Sequence, residues 1–229
     1  MTAALKTEED GEGRDANPVT REPTTRETIL SRALELFATQ GYAGTSMRSL
    51  ARAVGLRESS IYNHFDSKDH ILKALVEMLG PARSASRLSS LRYQAMAASP
   101  KAFCRMHAAD VFEQWCDPLE QRLQELLYVE RQRLAPEREL FTKAWFHGEL
   151  KQMTVFFEKF LEQRLIDVPD AAEGARSFMS GLTFIRLEHF LMPSTPTDPA
   201  LVLPLVEHYV ETFLKLIRAT DGGPKPRGI

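Results

Sequence analysis

The sequence is short of cysteine, of long apolar runs, of net charge and of catalytic signatures. Cys104 and Cys116 are the only two cysteines in 229 residues. On a single helix, a rise of ~1.5 Å per residue would set them roughly 18 Å apart, too far for a disulfide. Packed, reduced thiols are expected instead. No apolar stretch approaches the ~20 residues of a membrane span, and the acidic N-terminus carries no hydrophobic segment of the signal-peptide kind. A soluble, cytoplasmic protein with no membrane partner is expected. The formal charge of −2 gives no overall bias toward nucleic acid, so any such partner must be met by a local patch. HExxH, GxSxG, CxxC and glycine-rich phosphate-loop patterns are missing, which argues against an enzyme and against a bound cofactor. Cys104 and His107 have the spacing of two ligands on one helical face. No second pair follows nearby, so no metal site is expected and His107 is read as a packing or pocket-lining residue.

What remains is a helical pattern from end to end. In residues 1–22 acids outnumber bases without any period, which predicts a disordered leader. Thr24 and Glu27 in "TTRE" form a capping box. Ile29, Leu30, Ala33, Leu34, Phe37 and Ala38 then recur at helical spacing until Gly41, predicting a helix over Thr25 to Gln40. "TSMRSLARAVG" reads as a short helix capped by Thr45 or Ser46. Another short helix follows in "LRESSIYNHFDSKD", and a fourth, capped by Ser67, runs to about Leu79, where Gly80 and Pro81 mark a break. Pro100, Pro118, Pro136, Pro169 and Pro199 each precede an apolar-periodic segment, as prolines at helix starts do. The tail, 220–229, reads as a flexible loop. The fold class is all-α.

The spacing inside residues 47–65 is the informative part. Ala51 is small where two helices would cross, Gly55 supplies a positive-φ turn four residues on, and Leu50, Val54, Leu56 and Ile61 fill the wedge between the helices. That is helix-turn-helix spacing. The second helix would bury Ile61 and Phe65 and turn Arg57, Ser59, Ser60, Tyr62, Asn63 and His64 outward, groups suited to phosphates and base edges.

Over about fifty residues, "ALELFATQGYAGTSMRSLARAVGLRESSIYNHFDSKDHILKAL" resembles the N-terminal domain of TetR-family transcriptional regulators. Phe37, Gly41, Thr45, Ala51, Gly55, Tyr62, His64, Phe65, Ser67 and Lys68 fall on that family's pattern. The resemblance implies a three-helix DNA-binding domain over 23–69 and a larger helical ligand-binding and dimerisation domain over 70–219. It further implies that Thr45, Tyr62, His64 and Lys68 hold phosphates of a double-stranded operator. Arg48, Ser59, Ser60 and Asn63 become the base-reading candidates, with Ser46 beside them. Arg57 departs from the pattern, which usually has a capping serine or threonine there. It leaves the helix start without that cap, and offers a guanidinium for a guanine edge or a phosphate in return.

In the larger part, aromatic and methionine residues exceed what one amphipathic face needs. Met106, His107, Phe112 and Trp115, with Phe141, Trp145, Phe146, Met153 and Phe178, are the candidates for a pocket taking a bulky, mostly apolar small molecule. Ordinary core packing is the competing reading of each. Two late helices, carrying Gly181, Leu182 and Ile185 and then Val206, Tyr209, Val210 and Phe213, are candidates for a homodimer interface, with packing inside one chain as the alternative. Together the resemblance and the patterning predict a dimeric repressor that binds a near-palindromic operator and is released by an effector. The alternative is a scaffold of the same fold that acts through a protein partner without one.

Overall fold

The computed structural model describes residues 23–79, 81–129, 134, 139 and 143–221. The expected leader, Pro136, Phe141 and most of the C-terminal tail lie outside the described residues. Every regular element among the described residues is helical.

Local chemistry sets the helix ends. The capping box forms at α1 (Thr25–Gly44), with Glu27 N–H donating to Thr24 Oγ1 at 3.2 Å and Thr24 N–H donating to Glu27 Oε2 at 2.7 Å. Gly41 interrupts α1 at φ 73°, ψ 156°, a conformation essentially restricted to glycine. The chain then takes one further turn to Gly44, so the element ends later than the expected Gln40. Ser46, rather than Thr45, caps α2 (Met47–Val54) in a reciprocal pair with Ser49. Ser67 Oγ accepts from the amide of His70 at the start of α4 (Lys68–Leu79). Pro81 opens α5 (Pro81–Ser89), which is followed by the short α6 (Leu91–Gln94). Pro100 and Pro118 begin α7 (Pro100–Cys116) and α8 (Pro118–Val129). A π-helical turn over Lys143–Gly148 leads into α9 (Glu149–Glu162). Then come α10 (Ala171–Arg186), extended by a second π-helical turn over Leu187–Leu191, and α11 (Pro199–Leu216), with Pro199 in its first turn. Both cysteines lie on α7, and both are free.

Two apolar clusters organise these helices. The first joins Ile29, Leu30, Leu34 and Phe37 of α1 to Leu50, Ala51, Ile61, Phe65 and the inner face of α4. Leu123, Leu126 and Leu127 of α8 complete it from far along the chain. The second cluster is built on α7, α9, α10 and α11 around Phe103, Phe156, Phe157, Phe160, Phe178 and Phe213. Its rings meet edge-on or tilted, as between Phe103 and Phe160 at 5.5 Å, the arrangement their quadrupoles favour.

Candidate nucleic-acid interface

The second half of the helix-turn-helix is the five-residue α3 (Glu58–Tyr62). Gly55 links it to α2 at φ 74°, ψ 24°, and Leu56 N–H returns to Ala51 carbonyl at 2.9 Å, a Schellman-type close that needs a left-handed residue. No atom lies near the position of a Cβ on Gly55, so glycine is required there for backbone angle and not for space. Ile61 and Phe65 are fully buried, which fixes the rotation of α3. Arg57 is the N-cap and gives no side-chain hydrogen bond, so this helix start lacks the usual hydroxyl.

That rotation leaves Arg48, Arg57, Ser59, Tyr62, Asn63 and His64 exposed and Ser60 half-buried. Arg52 joins them, one turn after Arg48 on α2. It was legible in the sequence, since Arg48 and Arg52 are separated by four and share a helix face. Ser46 is exposed, but its hydroxyl is engaged in capping.

Two expected phosphate contacts sit differently. Thr45 is buried, and its hydroxyl donates to Gly41 carbonyl at 3.0 Å. As placed, it closes the turn after α1 and offers no surface donor. Lys68 is half-buried over the Tyr42 ring, 4.3 Å from its centroid, and its ammonium donates to the carbonyls of Tyr42 at 2.5 Å and Thr45 at 2.9 Å. Those carbonyls carry the partial negative charge of a chain leaving a helix, so Lys68 pins the start of α4 to the end of α1. Tyr42 O–H also donates to Asp69 Oδ1 across the same junction. Arg26 covers Phe65 from α1, 4.9 Å from the ring centroid.

In the larger half, the expected pocket residues that are described are packed. Met153 and Phe178 are fully buried, Trp115 and His107 nearly so, and Met106 and Phe112 lie against the same cluster. The side chains of Trp145 and Phe146 lie outside the described residues. Among the described residues, clefts open elsewhere. One of about 360 Å³ is lined by His147, Leu150, Arg176, Thr183, Phe184 and others, and one of about 550 Å³ lies among α4, α5 and α7. Among the described residues, neither is lined by Met106, His107, Phe112, Trp115, Met153 or Phe178.

Polar groups nevertheless enter this core. Arg186 Nη2 donates to Glu120 Oε1 at 2.7 Å with both side chains buried, and Trp115 lies 6.0 Å beneath the guanidinium. Burial holds Arg186 below the usual guanidinium range, opposed by Glu120. His107 stacks on Phe103 and approaches the Tyr93 hydroxyl at 3.5 Å. Burial, helped by the charge of Arg87, lowers His107 to about 3, so the imidazole is neutral. Glu149 Oε1 is 3.6 Å from it, too long for a hydrogen bond that would hold the proton.

Most of the expected dimer residues pack within the chain. Leu182, Val206, Val210 and Phe213 are buried, while Ile185 and Tyr209 pack against the same core. Gly181 admits Tyr209, whose ring occupies the space a Cβ would fill and whose hydroxyl donates to the carbonyls of Ser177 at 2.8 Å and Phe178 at 2.9 Å. The close approach foreseen at Gly181 therefore joins α10 to α11. The exposed apolar side chains on these helices and their extension are others: Phe184, Leu187 and Leu191, and Leu201, Leu203, Leu205 and Leu216.

This geometry is that of a helix-turn-helix carried on a larger helical body. Residues 29–75 match the family described as "Bacterial regulatory proteins, tetR family". A curated relative, the biofilm operon icaADBC HTH-type negative transcriptional regulator IcaR of Staphylococcus epidermidis, is 33% identical over 52 residues, which cover 23% of this chain and 28% of that protein. The chain thus spans little more than a quarter of the relative's length. A Mesorhizobium loti structure described as a candidate TetR-family transcriptional regulator superposes with a TM-score of 0.68 at 19% identity, covering 84% of this chain and 96% of that one. Salmonella enterica GusR does so with a TM-score of 0.61 at 19% identity, over 89% and 100%. Residues 29–75 thus match the TetR family model, and over most of the chain the fold is that of these solved structures. No helix among the described residues is long and apolar enough to cross a membrane.

Proposed function

We propose that this protein is a transcriptional repressor that reads a near-palindromic DNA operator as a homodimer and is released by a bulky, mostly apolar small molecule. One observation carries the DNA-reading part. Arg48, Arg52, Arg57, Ser59, Tyr62, Asn63 and His64 crowd onto the exposed side of α2 and α3, while Leu50, Ala51, Ile61 and Phe65 fill the core beneath them. The core does not require those outer side chains, and they supply guanidinium, hydroxyl, amide and imidazole donors for phosphates and base edges. Tyr62 and His64 are assigned to phosphates, and Arg48, Ser59, Ser60 and Asn63 to bases. Lys68 and Thr45 act indirectly by fixing α4 against α1.

The dimer is assigned to the exposed apolar stripes of α10 and α11, with Phe184 and Leu201 at their centres. Two-fold symmetry would place two α3 segments along one face of the duplex, which is why a near-palindrome is expected. Polar His107, Glu149 and Arg186 buried among aromatic rings support an effector site, because a purely structural core seldom contains such groups. The close packing of Trp115, Met153 and Phe178 favours the alternative, a scaffold of the same fold without an effector.

The test is selection of bound fragments from a random DNA pool at about 0.15 M salt, where nonspecific phosphate binding is weak. An enriched inverted repeat, lost when Tyr62 or His64 is replaced by alanine in folded protein, is the expected result. No enriched sequence, or unchanged binding by those variants, would remove the assignment. A shift from dimer to monomer in Phe184→Glu, measured by light scattering, tests the interface. Release of the selected repeat by an apolar compound separates the repressor from the scaffold.

A further inference from the structure

We propose that the cleft between the start of α9 and the outer face of α10 binds an amphipathic carboxylate, an apolar chain ending in one anionic group, with Arg176 as the seat of the anion. The cleft holds about 360 Å³, within the range of small-molecule sites. One wall is α10 with its π-helical extension, and the other carries His147 of the first π-helical turn and Leu150 of α9. The buried His107, Glu149 and Arg186 that support an effector in the core take no part in lining it. The two sites are separate.

The sequence of α10 builds the first wall. Arg176, Ser180, Thr183 and Leu187 follow one another at steps of four, three and four, which sets them in one row along the helix. Met179 and Phe184 flank that row. At ~1.5 Å per residue it runs roughly 16 Å from Arg176 to Leu187. Its character changes along the way, from a guanidinium and a hydroxyl at one end to two exposed apolar side chains, Phe184 and Leu187, at the other.

Charge selects the ligand. Among the described residues no carboxylate lines the cleft. Arg83, Arg92, Arg105, Arg186 and Arg218 each have a carboxylate oxygen within 3.1 Å. Arg176 has no such pair among the described residues, although Glu173 lies one turn before it, and the Ser180 and Thr183 hydroxyls are likewise unengaged there. His147 adds a nitrogen donor and no negative charge. A solvated arginine or an exposed leucine is ordinary when it stands alone. Joined in one recess, they give a charged end that forks onto a carboxylate and an apolar end that covers a hydrocarbon chain.

The experiment is titration calorimetry on the full chain without DNA, with decanoate, hexanoate, decanol and decyltrimethylammonium as probes below their micelle-forming concentrations. Decanoate should bind saturably, at least ten-fold more tightly than decanol or the ammonium and several-fold more tightly than hexanoate. Arg176→Gln should weaken decanoate at least ten-fold, and Arg176→Glu should reverse the order so that the ammonium binds better. Arg176 is exposed, so both changes leave the core intact. Phe184 and Leu187 also lie on the stripe assigned above to the dimer, so light scattering on the same samples checks that the Arg176 variants keep the parent's association state. That assignment has its own test in Phe184→Glu and fails or stands separately. No saturable binding of decanoate, decanol bound as tightly, or decanoate affinity unchanged in folded Arg176→Gln overturns the proposal.

Discussion

Replacing Gly181 by alanine should destabilise the protein although alanine is the better helix former. In a helix interior alanine gains about 0.8–1 kcal/mol over glycine. At this position the new methyl group would enter the space held by the Tyr209 ring. The ring cannot swing aside freely, because its hydroxyl donates to the carbonyls of Ser177 and Phe178 and its face lies along Phe178. Overpacking of this kind costs about 1–3 kcal/mol, and loss of the hydroxyl's hydrogen bonding adds about 0.5–1.5 kcal/mol. The net expectation is a loss of about 0.5–3.5 kcal/mol after the propensity gain is subtracted. Urea unfolding at fixed protein concentration measures it. The sign should reverse in a Tyr209→Ala background, where the methyl group has room and only the propensity term survives. A Gly181→Ala protein at least as stable as the parent, or an effect of the same sign in both backgrounds, would refute the reasoning.

Three other outcomes follow from features of the larger half. Arg164 sits at φ 58° after α9, closing it with Leu165 N–H on Phe160 carbonyl at 2.8 Å. Arg164→Gly relieves a left-handed conformation and should raise stability by about 0.5–1 kcal/mol, read as a higher urea midpoint at unchanged slope. Arg186→Met strands the buried Glu120 carboxylate and should cost about 3–5 kcal/mol, whereas adding Glu120→Leu should recover more than half of it; equal losses in the single and double variants would contradict a coupled pair. His107 is depressed to about 3 from an ordinary 6.5. The unfolded chain therefore takes up its proton first on acidification, and stability contributed above the ordinary value is lost as the pH falls from about 6.5 toward 3. The slope from this one group approaches about 1.4 kcal/mol per pH unit, and His107→Gln should flatten the stability profile over that window.

How far the sequence foretold this depends on the range of the interaction. Thr24 with Glu27, Gly41, Gly55, Ser67 and the helix-start prolines Pro100, Pro118 and Pro199 were legible because caps and turns are settled within four or five residues. The exposed face of α3 was legible for the same reason, since Ile61 and Phe65 fix its rotation. Thr45 was not: the residue pattern shows a hydroxyl at the head of α2, and only the turn after Gly41 folds it inward. The apolar periods of α10 and α11 were visible, but periodicity does not say which helix meets which. Leu182 and Val210 therefore looked as suited to a second copy as to one another. Glu120 carried no signal, because its partner Arg186 is 66 positions away, and each alone resembles a solvated charge.

The three leucines of α8 that finish the first cluster bear on how such proteins can be recombined. A cut after α4 would leave the inner faces of α1 and α4 without Leu123, Leu126 and Leu127 and expose an apolar surface to water. The head that holds the helix-turn-helix is thus not a cassette that can be cut out and regrafted at the obvious joint. A working chimaera must carry the leucine-bearing face of its own α8 with it, or have that face rebuilt to suit the incoming head.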